Sequence, residues 1–285
     1  MINVLKKTRL LFEDLILTSP KIFYNNFLGT SSSKEMEKNL DDLNKFGYCR
    51  INNLLKNNQI KLIKSKLSID FKNKKLTLNN KDNFSQSIKK PLLVHPILTE
   101  ICTNPFIIEL AKRYFKNNVY VADVDLRRIY PCHTDEIKTS IPGYSSSHWH
   151  RDTRGRQLKL MIYLSDVGPN DSNFSFLPKT NKSKFFRLGY KRSRFSDETI
   201  KELNITPIDW YGKSGEAYLF DTNLIHRLRR RKNAAIRDSF TVYFTPGQEL
   251  RHLDLNPLLI NSLNKNKVFS NPCNFLLRNR INYNK

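Results

Sequence analysis

From about residue 118 onward, the sequence consists of short apolar or alternating segments that end at turn-forming residues. The most apolar of them covers 158–167 and stops at the Gly-Pro-Asn-Asp turn of 168–171. Similar segments lie at 119–126, 174–178, 216–220 and 239–245. Short strands between such turns predict an antiparallel jelly roll or sandwich and argue against alternating βαβ units.

The first part of the chain has apolar residues at helical spacing instead. We predict helices within the first 45 residues, where Leu10, Leu11, Leu15 and Ile16 recur and 34–43 follows a serine cluster, and then at 58–67, 96–101 and 106–115. The polar stretch 72–90 predicts an exposed loop, and 251–285 predicts a packing tail with a helix at 257–263.

The chain contains no internal repeat and no long linker, so we predict one domain over 1–285. Within it, 1–116 is a mostly helical front, 117–247 is the jelly-roll core and 248–285 is a C-terminal tail. The predicted fold class is α+β with a mainly β core, a double-stranded β-helix with N-terminal and flanking α-helices.

The formal net charge of +23 has two interpretations. It can indicate an anionic partner such as a nucleic acid or a phosphorylated substrate, or it can reflect a lysine-rich composition, because the lysines are spread over the whole chain. The four cysteines are scattered without a CxxC pair, which predicts reduced thiols in a cytoplasmic protein. We find no signal peptide and no run long enough to span a bilayer.

The segment 147–152, Ser-His-Trp-His-Arg-Asp, carries the strongest chemical signal. His150 and Asp152 are two residues apart, so an extended backbone places both on one side. His148 has the same parity, and a third ligand could come from His226 or His252. Two histidines and one carboxylate leave other metal positions open, which is typical of non-haem Fe(II) oxygenases and not of closed structural zinc.

A second candidate pair follows downstream. Arg237 and Ser239 open the last predicted strand and share a face. A guanidinium fork with a neighbouring hydroxyl can bind a carboxylate group.

These segments together resemble the phytanoyl-CoA dioxygenase-like family of Fe(II)/2-oxoglutarate-dependent oxygenases. The matching pieces span about 46–246. They are Gly47-Tyr48-Cys49-Arg50-Ile51, Trp149-His150-Arg151-Asp152, 159–167, 174–178, 215–227 and Arg237. The segment after the 174–178 strand departs from the family, since it reads Pro-Lys-Thr-Asn-Lys where Pro-Gly-Ser-His is usual.

The resemblance implies Fe(II) bound by His150, Asp152 and His226, with 2-oxoglutarate and O2 as cosubstrates. It implies that Arg237 pairs with the far carboxylate of 2-oxoglutarate, which is decarboxylated to succinate while a substrate is oxidised. Ser239 is a further candidate contact. Lys159 and Tyr163 are others, because related enzymes often place a second 2-oxoglutarate contact on the strand after the His-x-Asp motif.

The predicted function is therefore a dioxygenase that hydroxylates a small or carrier-linked, anionic metabolite. Two basic clusters favour an anionic substrate, one at 182–194 and one at 227–232, the latter expected on a loop beside His226. The alternatives are a basic nucleic-acid-binding jelly roll without catalysis and a cupin-type enzyme without 2-oxoglutarate. No aromatic-basic RNA motif or helix-turn-helix pattern supports the former, and the latter has no need of Arg237.

Overall fold

The computed structural model describes residues 34–52, 54–79, 84–131, 147–152, 157–182 and 194–246. The predictions for 1–33 and for the tail beyond 246, including His252, lie outside these residues, as does most of the basic cluster at 182–194. No helix in the described ranges is long and apolar enough to cross a membrane.

Two antiparallel sheets form the core of the fold. The strands are β1 (Tyr48–Ile51), β2 (Thr77–Asn79), β3 (Ser85–Ile88), β4 (Tyr120–Ile129), β5 (Trp149–His150), β6 (Leu158–Tyr163), β7 (Asn173–Phe176), β8 (Arg194–Phe195), β9 (Ile208–Trp210), β10 (Ala217–Asp221), β11 (His226–Arg229) and β12 (Arg237–Thr245). The large sheet has the order β1-β10-β6-β12-β4-β3-β2, and the small sheet has the order β8-β5-β11-β7-β9. This arrangement confirms the predicted jelly-roll fold.

Helices flank both sheets. They are α1 (Lys34–Phe46), α2 (Asn57–Asp70), α3 (Pro91–Val94), α4 (Leu98–Cys102), α5 (Pro105–Phe115) and α6 (Asp197–Glu202). The amphipathic patterns predicted α1, α2, α4 and α5 close to these bounds. Asn104 caps α5, since its side chain accepts hydrogen bonds from the Phe106 and Ile107 amides.

The alternation of side chains along the central strands divides the interior into two layers. On β6 and β12, Leu160, Ile162 and Val242 pack against the helices in the larger apolar cluster. Met161 and Tyr163 point the other way, into a smaller cluster between the two sheets. Arg237, Ser239, Thr241 and Tyr243 alternate with the helix-facing residues of β12 and therefore lie on the face between the sheets.

The prediction of an exposed loop at 72–90 was wrong in part. The structure forms a hairpin there, in which β2 pairs with β3, and β3 pairs with β4 at the edge of the large sheet. The strands are short and partly exposed, with only Thr77 buried on β2. An edge hairpin of this kind needs no apolar alternation, which is why the sequence of this stretch looked like a loop.

Gly47 is required between α1 and β1. Its φ is +87°, and a Cβ there would lie 2.7 Å from Asn181 Cγ and 2.8 Å from Leu224 Cδ1. Only glycine combines this backbone conformation with this close approach. The contact ties the start of the sheet to the turn that precedes β11.

Candidate metal centre

Two histidine rings lie side by side on the small sheet. His150 on β5 is the cross-strand partner of His226 on β11, and their ring centroids are 4.3 Å apart. Phe174 on β7 stacks on the His226 ring, with a centroid distance of 5.2 Å. The rings face the space between the sheets, because Phe174 belongs to the cluster that fills that space.

Asp152 adds a carboxylate to the two imidazoles. The chain leaves β5 after His150, and the Asp152 amide donates to the Thr222 carbonyl at 3.1 Å. Asp152 Oδ1 lies 3.9 Å from His150 Nε2 and 3.9 Å from His226 Nε2. The ligand atoms of the three residues all lie within 4.8 Å of one another, so the group could hold a metal ion.

The backbone determines which ring nitrogen each histidine presents. His150 Nδ1 lies 2.7 Å from the His148 carbonyl, and His226 Nδ1 lies 2.7 Å from the Leu224 carbonyl. A carbonyl only accepts, so each neutral ring carries its proton on Nδ1. Both Nε2 atoms therefore present a lone pair to the cluster, which is the orientation that metal-binding histidines need.

The protonation states suit a divalent cation. Burial, together with the neighbouring His150, lowers the pKa of His226 to about 3. Burial likewise lowers the pKa of His150. Burial alone would raise the pKa of Asp152, but Lys159 and the two histidines outweigh it and hold this pKa well below its usual range. The group offers two neutral imidazoles and a carboxylate near neutral pH, so these residues fit Fe(II).

Lys159 reaches the cluster from the large sheet. Its Nζ lies 2.7 Å from Asp152 Oδ2, and its side chain is 12% exposed. The Tyr243 ring lies beside the ammonium, 4.9 Å from centroid to Nζ. Lys159, predicted as a 2-oxoglutarate contact, thus has the Asp152 carboxylate as its partner in this structure.

Arg237 and Ser239 are both buried between the sheets, at 3% exposure each. Arg237 Nη1 donates to the Ser172 carbonyl at 3.2 Å. Its Nε is buried and has no hydrogen-bond acceptor among the described residues. A buried guanidinium N–H without an acceptor is costly, and a bound carboxylate would satisfy it.

Tyr163 connects Arg237 to the histidines. The Arg237 guanidinium carbon lies 5.6 Å from the Tyr163 ring centroid. The Tyr163 hydroxyl accepts from the Phe174 amide at 3.2 Å and donates to the Trp210 carbonyl at 3.1 Å. Because Phe174 stacks on His226, this chain of contacts places the arginine and the metal-binding group in one interior space.

His148 contributes its carbonyl and is not one of the three residues whose ligand atoms converge. Trp149 is buried on the opposite face of β5 with Leu177, Phe195, Ile200 and Ile225. It has a packing role.

Two further residues on the inner face were missed in the sequence. Arg127 on β4 is the cross-strand partner of Ser239, and Tyr243 is that of Lys159. The positive charge of Arg127 contributes to lowering the pKa of Arg237, after the larger effect of burial. The signal was present, since charged residues alternate with apolar ones along β4 and face the same interior.

The basic residues after His226 do not form a loop as predicted, because β11 continues to Arg229. Arg227 and Arg229 point away from the metal-binding group, since His226 and Leu228 face inward between them. Arg227 covers the Trp149 ring at 4.3 Å and pairs with Asp197 at 3.3 Å, while Arg229 pairs with Asp209 at 2.9 Å.

A groove of about 1570 Å³ runs along this side of the small sheet, and we call it the basic groove. Its charged lining residues are Arg194, Asp197, Glu198, Lys201, Arg227, Arg229, Arg230, Arg231 and Lys232, seven basic and two acidic. Arg194 is the cross-strand partner of His150, and its charge is one of the smaller influences that lower the pKa of His150. One edge of the basic groove therefore adjoins the metal-binding group.

The fold and this site define a jelly-roll protein with an inward-facing His-Asp-His metal-binding group. The family model for phytanoyl-CoA dioxygenase (PhyH) matches residues 43–239. The chain therefore belongs to the phytanoyl-CoA dioxygenase family, a family of Fe(II)/2-oxoglutarate-dependent oxygenases. No curated protein gives a significant match.

Several solved structures share the fold. EctD from S. alaskensis, solved with 2-oxoglutarate and 5-hydroxyectoine, is 12% identical over 84% of this chain and 86% of that chain, with a TM-score of 0.56. HygX from Streptomyces hygroscopicus, with nickel and 2-oxoglutarate bound, is 17% identical over 80% and 94%, with a TM-score of 0.54. The epimerase SnoN, in complex with Fe3+, alpha ketoglutarate and nogalamycin RO, is 12% identical over 79% and 89%, with a TM-score of 0.54.

Proposed function

We propose that this protein is an Fe(II)- and 2-oxoglutarate-dependent dioxygenase that hydroxylates a small anionic molecule, free or carrier-linked. The observation that carries the proposal is the convergence of His150 Nε2, His226 Nε2 and Asp152 Oδ1 in a buried space. These three atoms would hold Fe(II) from one side and leave its remaining positions for cosubstrates.

The oxidising chemistry comes from Fe(II), 2-oxoglutarate and O2, while the protein supplies binding, orientation and exclusion of water. Arg237 would bind the far carboxylate of 2-oxoglutarate through its Nε and remaining N–H groups, with the Ser239 hydroxyl beside it. Both are buried, so this interaction would be little screened by solvent. The Tyr163 hydroxyl already bonds the Phe174 amide and the Trp210 carbonyl. Tyr163 would therefore act through its ring, which lies beside the guanidinium and would orient it.

Related structures support 2-oxoglutarate use more directly than the reaction outcome. EctD, HygX and SnoN were each solved with 2-oxoglutarate or alpha ketoglutarate, yet SnoN is an epimerase. We propose hydroxylation rather than halogenation because Asp152, an intact carboxylate, occupies the place that a halide ligand would need. Desaturation and cyclisation would be distinguished by the mass of the product.

A cosubstrate titration tests the proposed function. Adding 2-oxoglutarate to the Fe(II)-loaded protein without oxygen should produce a weak visible metal-to-ligand charge-transfer band. The band reports chelation of the metal by the keto acid, which nucleic-acid binding or a cupin-type site would not require. Its absence from correctly folded, iron-loaded protein would overturn the proposal.

The anionic character of the substrate rests on the basic groove. Seven basic side chains against two acidic ones leave an excess of positive charge beside the metal-binding group. Two of the basic side chains have a buried N–H group, since Arg227 Nε and Arg231 Nε are without an acceptor among the described residues. An anion in the groove would supply such acceptors.

Inorganic pyrophosphate is a suitable probe of this groove. We expect the double variant Arg194→Gln/Lys232→Gln to weaken pyrophosphate binding about tenfold at low salt, because two nearby positive charges are lost. Lys213→Gln is the matched control, since Lys213 is exposed and outside the groove. Equal affinities in all three proteins would contradict an anion site here. Far tighter binding of a single-stranded oligonucleotide, with a steep salt dependence, would favour the nucleic-acid alternative.

A further inference from the structure

We propose that Lys159 is a positioning residue that keeps one oxygen of Asp152 away from the metal. The inference rests on the proposed function, because it concerns how the carboxylate binds that metal. Lys159 Nζ lies 2.7 Å from Asp152 Oδ2, whereas Oδ1 faces the Nε2 atoms of both histidines at 3.9 Å. The two oxygens are thus divided between the lysine and the metal-binding space.

The residues around Lys159 fix the position of its ammonium group. It extends from β6 of the large sheet to a residue that follows β5 of the small sheet, and its side chain is 12% exposed. The Tyr243 ring lies against its ammonium at 4.9 Å. A charged lysine this deeply placed needs an anionic partner, and Asp152 is the partner in contact with it.

The division of oxygens has a consequence for the cosubstrate. A carboxylate can bind a metal through one oxygen or through both. Binding through both would occupy a position that 2-oxoglutarate needs. By forming an ion pair with Oδ2, the Lys159 ammonium would keep Asp152 a one-oxygen ligand and leave that position open.

Charge acts in the same direction. A divalent ion, the Asp152 carboxylate and the Lys159 ammonium sum to a net charge of +2, which attracts the anionic keto-acid end of 2-oxoglutarate. Without the ammonium the sum is +1. Lys159 therefore lowers the affinity for the metal slightly and raises the affinity for 2-oxoglutarate. A residue with only a packing role would change both affinities in the same direction.

Replacing Lys159 with methionine tests the inference in the full-length protein. We measure calorimetric binding of Mn(II), and then of 2-oxoglutarate to the Mn(II)-loaded protein. We expect Lys159→Met to bind Mn(II) as tightly as the wild type or more tightly. We expect it to bind 2-oxoglutarate about 10- to 100-fold more weakly, because a positive charge near the cosubstrate is lost in a poorly solvated space. Lys159→Arg retains the charge and a donor for Oδ2, so it should recover part of the 2-oxoglutarate affinity.

Lys213→Met serves as the control, because Lys213 is an exposed lysine that pairs with Asp166 and is not part of the metal-binding group. Unchanged 2-oxoglutarate affinity in Lys159→Met would overturn the inference. So would parallel losses of Mn(II) and 2-oxoglutarate affinity without rescue by arginine, since that pattern indicates a packing role. The proposed function itself would be contradicted by a different result. That result is a wild type that does not bind Mn(II), or one whose Mn(II) binding Asp152→Ala leaves unchanged.

Discussion

Asp152→Ala should abolish formation of succinate from 2-oxoglutarate, with a loss of at least about 1000-fold. A partner of a metal ligand costs about 10- to 100-fold when it is removed, and a ligand itself should cost more. The variant keeps both histidines, but two neutral imidazoles bind a divalent cation without the carboxylate charge that offsets its desolvation. Succinate release and Mn(II) affinity are the two measurements, and both should fall.

The same substitution leaves Lys159 without its anionic partner, so part of any loss could come from stability. We expect Asp152→Ala to lower the free energy of unfolding by about 2 kcal/mol, less than the cost of a fully buried pair because both side chains are partly exposed. The double variant Asp152→Ala/Lys159→Met removes both partners and should regain most of this stability. Its succinate formation should remain absent.

The pair of variants separates folding from chemistry. Loss of activity that returned with stability in the double variant would mean that Asp152 has only a structural role. Wild-type turnover by either variant would mean that another carboxylate binds the metal.

Arg237→Met should raise the KM for 2-oxoglutarate by about 100-fold or more, with Mn(II) affinity unchanged. The guanidinium is 3% exposed, and a desolvated charge pair of this kind costs about 2–5 kcal/mol when one partner is truncated. At about 1.4 kcal/mol for each tenfold change, about 3 kcal/mol corresponds to more than 100-fold. Steady-state kinetics with varied 2-oxoglutarate measure the effect.

Two milder changes calibrate the result. Arg237→Lys retains the charge and loses the planar fork, so its KM should lie between those of the wild type and the methionine variant. Ser239→Ala removes one neutral hydrogen bond, worth about 1 kcal/mol, and should raise KM by about fivefold. A KM within about threefold of the wild type in Arg237→Met would show that another cation binds the far carboxylate.

Local patterns in the sequence predicted the jelly roll and the positions of most strands. The reason is that alternation and turn residues are properties of a few neighbouring positions. Those signals failed for the β2–β3 hairpin, whose stability comes from pairing with β4, a partner remote in sequence. They also missed α6, although Ser196 accepts a hydrogen bond from the Thr199 amide as an N-cap and two acidic residues follow it.

In the candidate site, too, the sequence predicted local relations between residues and missed contacts between residues remote in sequence. Two-residue spacing placed His150 and Asp152 together, yet the same spacing could not separate His148 from His150. The resemblance to the family selected His150. In the structure the His148 carbonyl accepts the Nδ1 proton of His150, and the His148 ring is not one of the three converging ligands. The pairing of Lys159 with Asp152 crosses from one sheet to the other, and no pattern along a single strand reports such a contact. The role of Arg237 as cosubstrate anchor remains a prediction.

The two histidines are neighbours within the small sheet, joined by the β5–β11 ladder, whereas Arg237 stands on the large sheet. The distance between the histidines and Arg237 is therefore a distance between sheets, which the aromatic filling around Phe174, Phe176 and Trp210 maintains. Under the proposed function, a thinner filling would leave the two histidines in place and move Arg237 closer to them. The thickness of the apolar core would therefore set the length of the diacid that can reach both the metal and Arg237.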